Sequence, residues 1–364
     1  MHEPRAKGVT NITFRYICTP YLSHTHIHTG AILLISKVIE PLCVTLAVIS
    51  PSKAGNGSGR TYRGYAVYHN SKKKSTTRYQ RTIMCDENEI KAAFETVLEL
   101  VKQCNEIVLE GFRSASKQVE VKGKHWDLVT VYDQRVEDIL IAGLRQQFPH
   151  HKFCAEESAF ASGAKLILGP EPTWIIDPID GTVNFVRGVP FTCISVALAV
   201  NHELQIAIIA NPTANELFTA IKGQGSFLNG SRIHTRNTKE LKDALVGHEF
   251  SIGSYKPIRA ALFERGQRFI AECVGLRAFG SAALSLAYIA SGQIDAYSIQ
   301  YLKPWDIAAG ALLIQEAGGT VISITGGQYD IMKPDIIAAS SEPLAQTILN
   351  IVRDVDEKLA QIKE

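Results

Sequence analysis

The chain has no excess of charge of either sign. Its 364 residues carry 38 lysines and arginines against 36 aspartates and glutamates, a formal net charge of +2. A strongly basic or strongly acidic balance is typical of proteins that bind nucleic acid or a charged membrane surface. The composition therefore gives no reason to expect either partner.

Paired cysteines and a serine nucleophile motif are also missing. The seven cysteines are an odd number, are widely spaced and include no C-x-x-C pair. This pattern fits reduced thiols in a cytoplasmic protein better than a disulfide framework. No G-x-S-x-G motif is present and the histidines lack motif context, so Ser-His or thiol nucleophilic catalysis is not required.

Residues 1–83 differ in character from the rest of the chain. His24, His26 and His28 alternate and could bind a metal from one face of a strand, although a solvated tail is the simpler interpretation. The apolar stretch over residues 31–50 is interrupted by charged residues and a proline, which disfavours a membrane-spanning helix, and no signal peptide pattern is convincing. We expect a poorly ordered N-terminal extension, upstream of the true start and dispensable for catalysis, followed by a catalytic domain over residues 84–364.

Two carboxylates directly follow an apolar run. Residues 174–176 are typical of a buried strand, and Asp177 and Asp180 follow it in the sequence Asp-Pro-Ile-Asp-Gly-Thr. The carbonyl of Ile179 is free to act as an oxygen ligand, and Mg²⁺ prefers such all-oxygen clusters. A helix beginning near Thr182 would present N–H groups to a phosphate. An aspartate-rich turn that caps an ordinary helix is the alternative.

Two other sites add acidic residues. Glu156 and Glu157 follow a predicted strand end, where paired acids repel one another unless a cation or solvent intervenes. Asp306 precedes a small-residue apolar helix over residues 307–314. An exposed loop pair and a simple helix N-cap are the respective alternatives.

Taken together, these motifs resemble the inositol monophosphatase family, within the superfamily of Mg²⁺-dependent, lithium-sensitive phosphomonoesterases. The resemblance extends from about residue 87 to residue 358. It is carried by these segments: 127–130 with Asp133, 155–158, WIIDPIDGT at 174–182, 280–283, Trp305-Asp306 with 308–310, and 316–319.

The resemblance implies an α/β protein with the layered α-β-α-β-α sugar-phosphatase fold, built as a single compact catalytic unit and commonly assembled as a homodimer. The sequence pattern agrees with such a fold. Amphipathic helices are predicted after Asp86 and after Thr130, followed by strands ending near Glu156 and Asp177 and then a meander of apolar strands over residues 191–228. A further α/β layer is predicted for the last third of the chain.

The resemblance also implies roles for individual residues. About two or three Mg²⁺ ions would serve as cofactors, held by Glu156, Asp177, the Ile179 carbonyl, Asp180 and Asp306. Thr182, paired with Asp133 or Glu156, would orient and deprotonate a metal-activated water. The phosphate and the substrate would contact Asp180, Gly181, Thr182, Gly280, Ser281 and Ala282. Inhibition by Li⁺ is expected.

The substrate is less well defined. The resemblance favours an inositol monophosphate or a related small sugar phosphate, but Ile299 stands seven positions before Asp306, where inositol-binding members carry an acidic residue. Lost hydrogen bonds to sugar hydroxyls would cost about 1–3 kcal/mol each. Lys303, if not a plain surface lysine, could meet a second phosphate. A fructose 1,6-bisphosphatase, a nucleotide phosphatase acting on 3'-phosphoadenosine phosphate or NADP, and a noncatalytic scaffold stay open as alternatives.

Overall fold

The structure, a computed structural model, describes residues 32–35, 45–51, 62–68, 85–122, 128–163 and 166–362. The chain divides into two units, Met1–Arg81 and Thr82–Glu364. Three antiparallel strands, not predicted from the sequence, lie in the first unit: β1 (Ile32–Ile35), β2 (Thr45–Pro51) and β3 (Tyr62–Tyr68). The alternating histidines lie outside the described residues, and the dispensability of residues 1–83 stays a prediction.

The second unit alternates helices and strands. Its helices are α1 (Glu87–Arg113), α2 (Val131–Gln147), α3 (Glu156–Ser162), α4 (Thr182–Arg187), α5 (Lys256–Glu272), α6 (Ala282–Ala290), α7 (Pro304–Glu316) and α8 (Glu342–Gln361). Both predicted helices begin where expected: Asp86, the predicted cap, accepts from the N–H of Glu89, and Thr130 forms a capping box with Asp133. None of the helices that the structure describes combines the length and the apolar composition needed to span a bilayer.

The part of this unit that the structure describes also contains strands. They are β4 (Glu120–Val121), β5 (Leu128–Val129), β6 (Lys152–Ala155), β7 (Thr173–Asp180), β8 (Cys193–Val200), β9 (Glu203–Asn211), β10 (Glu216–Ile221), β11 (Gly225–Leu228), β12 (Ser231–Ile233), β13 (Leu245–Gly247), β14 (Gly275–Arg277), β15 (Ala296–Ile299), β16 (Thr320–Ser323) and β17 (Ile336–Ala339). The strands β4 and β5 form a small ribbon of their own.

The larger sheet has seven strands in the order β12-β11-β10-β9-β8-β7-β6. All neighbours are antiparallel except β6 and β7, which run parallel, so the carboxyl ends of these two strands lie side by side. Alternate residues of β7 pack in different hydrophobic cores. Trp174 and Ile176 pack with α1 and α2 on one face of the sheet, whereas Ile175 packs with α6 and α7 on the other face. The sheet is therefore covered by helices on both faces.

The smaller sheet has five strands in the order β14-β13-β15-β17-β16. Residues of α6 and α7 share a core with one face of this sheet, and α8 and Phe269 of α5 pack against the other. The layers thus follow the predicted order of helices, sheet, helices, sheet and helices, which confirms the fold expected from the sequence. The strands β14, β15 and β17 were not predicted.

Candidate active site

Strand β7 carries two aspartates to one end of the larger sheet. The predicted turn at Asp177 was wrong in detail, because the strand continues to Asp180 with an irregularity in its pairing with β8 between these residues. Residues three apart on a regular strand point to opposite faces, whereas an extra residue at a bulge can return them to the same side. The bulge accounts for the meeting of the two carboxylates.

Asp306 joins these two aspartates from α7. One carboxylate oxygen from each of Asp177, Asp180 and Asp306 lies within 4.8 Å of the others. Asp306 is not the N-cap of α7; that position belongs to Lys303, whose N–H donates to Asp306 Oδ2 at 2.7 Å. Another oxygen, Asp177 Oδ1, accepts from the N–H of Ile179 at 3.1 Å.

The aspartate cluster is electrostatically strained. Burial, followed by repulsion from Glu156 and the neighbouring aspartates, raises the pKa of Asp177 well above its usual range, and burial and the same kind of repulsion do so for Asp306. Burial raises the pKa of Asp180 to about 6, although hydrogen bonds from Ser281 and the N–H of Ala283 oppose the shift. Within the described residues, no lysine or arginine forms an ion pair with these three carboxylates. The all-oxygen donor set and its unbalanced charge fit a hard divalent cation.

Glu156 and Glu157 begin α3, directly after β6, and Lys122 holds both. The Lys122 ammonium donates to Glu156 Oε1 at 2.7 Å and to Glu157 Oε1 at 2.5 Å. Burial, followed by repulsion from Glu156, raises the pKa of Glu157 to about 8, and the contact with Lys122 opposes this shift. Lys122 was missed in the sequence because it lies 34 residues before Glu156 and in no recognised motif.

A buried acid from α2 fixes the start of α3. Glu137 accepts hydrogen bonds from the N–H groups of Glu157 and Ser158, each at 2.8 Å, and from the Ser158 hydroxyl. A carboxylate at a helix start satisfies free N–H groups and complements the helix dipole. The position of Glu156 is therefore set by packing between α2 and α3.

The predicted water-orienting residues form other hydrogen bonds. The Thr182 hydroxyl donates to the Ile179 carbonyl at 3.0 Å, so it is not bonded to Asp133 or Glu156 as expected. Asp133 Oδ2 instead accepts from the N–H and hydroxyl of Thr130. Burial raises the pKa of Asp133 to about 7, and repulsion from Glu156 adds to this shift against the hydrogen bonds from Thr130.

Gly181 and the segment from Gly280 to Ala282 meet beside Asp180. Ser281 caps α6, its hydroxyl donates to Asp180 Oδ2, and the N–H of Ala283 donates to the same oxygen at 2.8 Å. Gly181 has a φ of +81°, and a Cβ there would lie 2.8 Å from the Phe191 carbonyl. Only glycine fits this approach without strain.

Two polar residues that support this segment, the half-buried Asn184 and the buried Glu249, were also missed. The Asn184 amide donates to the carbonyls of Phe191 and Phe279 at 2.8 and 2.7 Å. Glu249 accepts from the N–H groups of Phe279 and Gly280 at 2.8 and 2.9 Å. Asn184 lies only two residues beyond the recognised motif, whereas no local pattern distinguishes Glu249.

Ile299, which stands where an acidic residue was expected, lies in the hydrophobic core. Ile299 is 4% exposed, belongs to β15, pairs with Ile336 and packs in the core between the two sheets. Its side chain offers no group to a hydroxyl. Asp127 lies outside the described residues.

Comparison with known proteins gives concordant matches. The model of the inositol monophosphatase family matches residues 90–357. Inositol monophosphatase 2 of Solanum lycopersicum is 40% identical over 261 residues, which is 71% of this chain and 97% of that protein. Inositol monophosphatase 2 of Homo sapiens is 40% identical over 266 residues, covering 72% and 91%. The crystal structure of the extragenic suppressor protein suhB from Bartonella henselae superimposes with a TM-score of 0.65 at 31% identity, covering 72% and 98%.

Proposed function

Because the chain belongs to the inositol monophosphatase family, we propose that it hydrolyses an inositol monophosphate, or a related small sugar phosphate, with Mg²⁺ as its metal ion. Hydrolysis of a phosphomonoester is the chemistry of this family, so the protein is a phosphoric monoester hydrolase. The observation that carries the proposal is the meeting of Asp177, Asp180 and Asp306 within 4.8 Å, the first two buried and the third half-buried, with no ion pair to a lysine or arginine in the part of the chain that the structure describes.

The acidic residues divide into two groups of proposed metal ligands. Asp177, Asp180 and Asp306 form one group, and Glu156, Asp177 and the Ile179 carbonyl form the other. About two or three Mg²⁺ ions held there would neutralise the phosphate, activate water and stabilise the leaving alkoxide. Lys122 already pairs with Glu156 in the structure, so this carboxylate would exchange one cationic partner for another on holding a metal ion.

The water and the phosphate are positioned by the chain itself. Because the Thr182 hydroxyl donates its hydrogen bond to the Ile179 carbonyl, its oxygen lone pairs are available to accept a hydrogen bond from the attacking water. Asp133 or Glu156 then takes the proton of that water. The N–H groups of Gly181 and Thr182 hold the phosphate, and Gly280, Ser281 and Ala282 line the leaving-group side.

A second candidate function rests on two observations near α7. Ile299 supplies no carboxylate for a sugar hydroxyl, and Lys303 is exposed three residues before Asp306. A substrate with a second phosphate, such as fructose 1,6-bisphosphate or 3'-phosphoadenosine phosphate, would use the lysine in place of the missing carboxylate.

Phosphate release across a panel of these substrates separates the two functions. We expect the full-length protein with Mg²⁺ to prefer inositol 1-phosphate and Lys303→Met to leave that rate unchanged. A preference for a bisphosphate, together with a loss of about tenfold or more in Lys303→Met, would support the second function instead. Lys333→Met, which removes another exposed lysine, is the matched control. No release from any substrate would contradict both.

Three further expectations belong to the same proposal: a homodimer, a cytoplasmic location and a catalytic unit independent of residues 1–83. Light scattering of the purified protein tests the first, and imaging of a tagged chain tests the second. Expression of residues 84–364 tests the third, because an insoluble or inactive product would refute it.

A further inference from the structure

Three side chains of metal-binding type meet at the start of α1, apart from the residues of the candidate active site. One ligand atom from each of Cys85, Glu89 and His151 lies within 4.8 Å of the others. His151 Nε2 is 3.2 Å from Glu89 Oε1 and 3.8 Å from Cys85 Sγ. The donors are one sulfur, one nitrogen and one oxygen, unlike the all-oxygen set of the active site.

The first two ligands are placed by the helix start. Asp86 is the N-cap of α1, and its side chain accepts from the N–H of Glu89 at 2.8 Å. This hydrogen bond fixes the first turn, so Cys85, directly before the cap, and Glu89, four residues later, converge on one imidazole. The local backbone therefore determines the geometry of the pair.

The third ligand is held rigidly. The His151 ring stacks on Phe148 with centroids 4.9 Å apart and an interplanar angle of 17°, and it lies 6.0 Å from the ring of Trp174. Its side chain is 1% exposed, and the N–H of His151 donates to the Phe148 carbonyl. The ring is thus fixed with Nε2 directed at the other two side chains.

The separations match those around a tetrahedral zinc ion. Bonds of about 2.3 Å to sulfur and about 2.0–2.2 Å to nitrogen and oxygen place the ligand atoms about 3.6 Å apart for sulfur and nitrogen and about 3.4 Å apart for nitrogen and oxygen. The corresponding separations here are 3.8 and 3.2 Å. Small side-chain adjustments would suffice to bind the ion.

Space for a fourth ligand lies beside the cluster. A cavity of about 120 Å³ borders Cys85 and is lined by Ile90, Val200, Asn201, Glu203 and Gln205. Its wall includes polar side chains that could hold a water molecule. A site with three protein ligands and one water is a common arrangement for Zn²⁺.

We propose that Cys85, Glu89 and His151 form a binding site for Zn²⁺ or a similar borderline divalent transition metal. The mixed sulfur, nitrogen and oxygen donors select such an ion over Mg²⁺, which prefers oxygen alone. The ion joins the start of α1 to the segment before β6 and stabilises the folded unit, because the three ligands come together only there. The Cys85 thiol releases its proton to solvent when the ion binds.

Cobalt substitution tests this site directly. Co²⁺ is titrated into the metal-free, full-length protein, and the thiolate-to-cobalt absorption is recorded. The active-site carboxylates give no such band, because they contain no sulfur. We expect one equivalent of the band, displaced by Zn²⁺, in the wild type and in Cys273→Ser, a control whose half-buried thiol donates to the Gly275 carbonyl. Cys85→Ser should lose that equivalent.

A second variant covers the case in which Cys85→Ser folds poorly. Glu89→Gln changes a partly exposed side chain and should weaken Co²⁺ binding about tenfold or more while keeping the band at saturation. The proposal would be overturned if the wild type shows no band, or if both variants show the band intensity and the Co²⁺ affinity of the wild type. The Mg²⁺-dependent phosphatase rate should not differ between the wild type and Cys85→Ser, so this result is independent of the proposed function.

Discussion

Replacement of Asp177 by asparagine should have opposite effects on stability in the absence and the presence of metal. The carboxylate is 2% exposed and faces Glu156, Asp180 and Asp306. Like charges about 4.8 Å apart repel by about 3 kcal/mol at an effective dielectric constant of about 20. Asparagine keeps the shape and removes the charge, so Asp177→Asn should be about 3 kcal/mol more stable than the wild type in chelator at neutral pH.

Mg²⁺ should reverse this order. A ligand present at about 1,000 times its dissociation constant adds about 4.1 kcal/mol to the stability of the folded state, which is more than the repulsion that the variant relieves. The variant should lose most of this gain, because it lacks one of the three clustered carboxylates. Phosphate release should fall by about 100-fold or more, since a metal ion supplies several kcal/mol of charge stabilisation.

Thermal unfolding in chelator and in Mg²⁺, measured together with phosphate release, provides the assay. Asp138→Asn, at an exposed position of α2, is the matched control and should change stability by less than about 0.5 kcal/mol. The reasoning fails if Asp177→Asn is less stable than the wild type in chelator, or if Mg²⁺ stabilises both proteins equally. A noncatalytic scaffold would show no Mg²⁺-dependent turnover to lose.

The other predictions concern backbone, charge, pH and lithium. Gly181→Ala should destabilise the fold by more than about 2 kcal/mol in denaturant titrations and abolish activity. Gly188→Ala, at a φ of +72° but with open space around a Cβ, should cost only about 1 kcal/mol. Equal losses of stability would refute the steric argument. Lys122→Gln breaks a buried ion pair and should lower the free energy of unfolding by about 3–5 kcal/mol. The control Lys222→Gln, at an exposed ion pair, should lower it by less than about 1 kcal/mol. Similar losses in the two variants would show that Glu157 does not need the lysine. In chelator, the contribution of Asp180 to the free energy of unfolding should be lost as pH rises from about 4 to about 6, because its folded pKa of about 6 exceeds the unfolded value of 3.8. If the free energy of unfolding of Asp180→Asn falls with pH as steeply as that of the wild type over this range, the prediction is wrong. Li⁺ at tens of millimolar should slow phosphate release in Mg²⁺, and an unchanged rate would argue against the family's metal arrangement.

The sequence predicted the layers well and singled out the three aspartates that meet in the structure, because both leave local signals. The caps at Asp86 and Thr130 and the amphipathic spacing behind them define α1 and α2 without tertiary information. The motif around Asp177 is specific because a strand, two acids and a glycine occur at fixed offsets.

The missed features depend on contacts between distant segments. Lys122 reaches Glu156 and Glu157 across more than thirty residues, and Glu249 meets Gly280 through pairing of separate strands and loops. The short strands β15 and β17 have only four residues each and become strands through their pairing with one another. Thr182 differs from expectation because the Ile179 carbonyl, three residues away, offers an acceptor to its hydroxyl.

The most direct test of the proposed metal-dependent phosphatase is phosphate release from inositol 1-phosphate by the full-length chain, first in chelator and then after Mg²⁺ is restored. We expect no turnover in chelator and a saturable return with Mg²⁺ in the wild type but not in Asp177→Asn. Release that is independent of Mg²⁺, or equal in the two proteins, would contradict the assignment of the aspartate cluster as the catalytic metal centre.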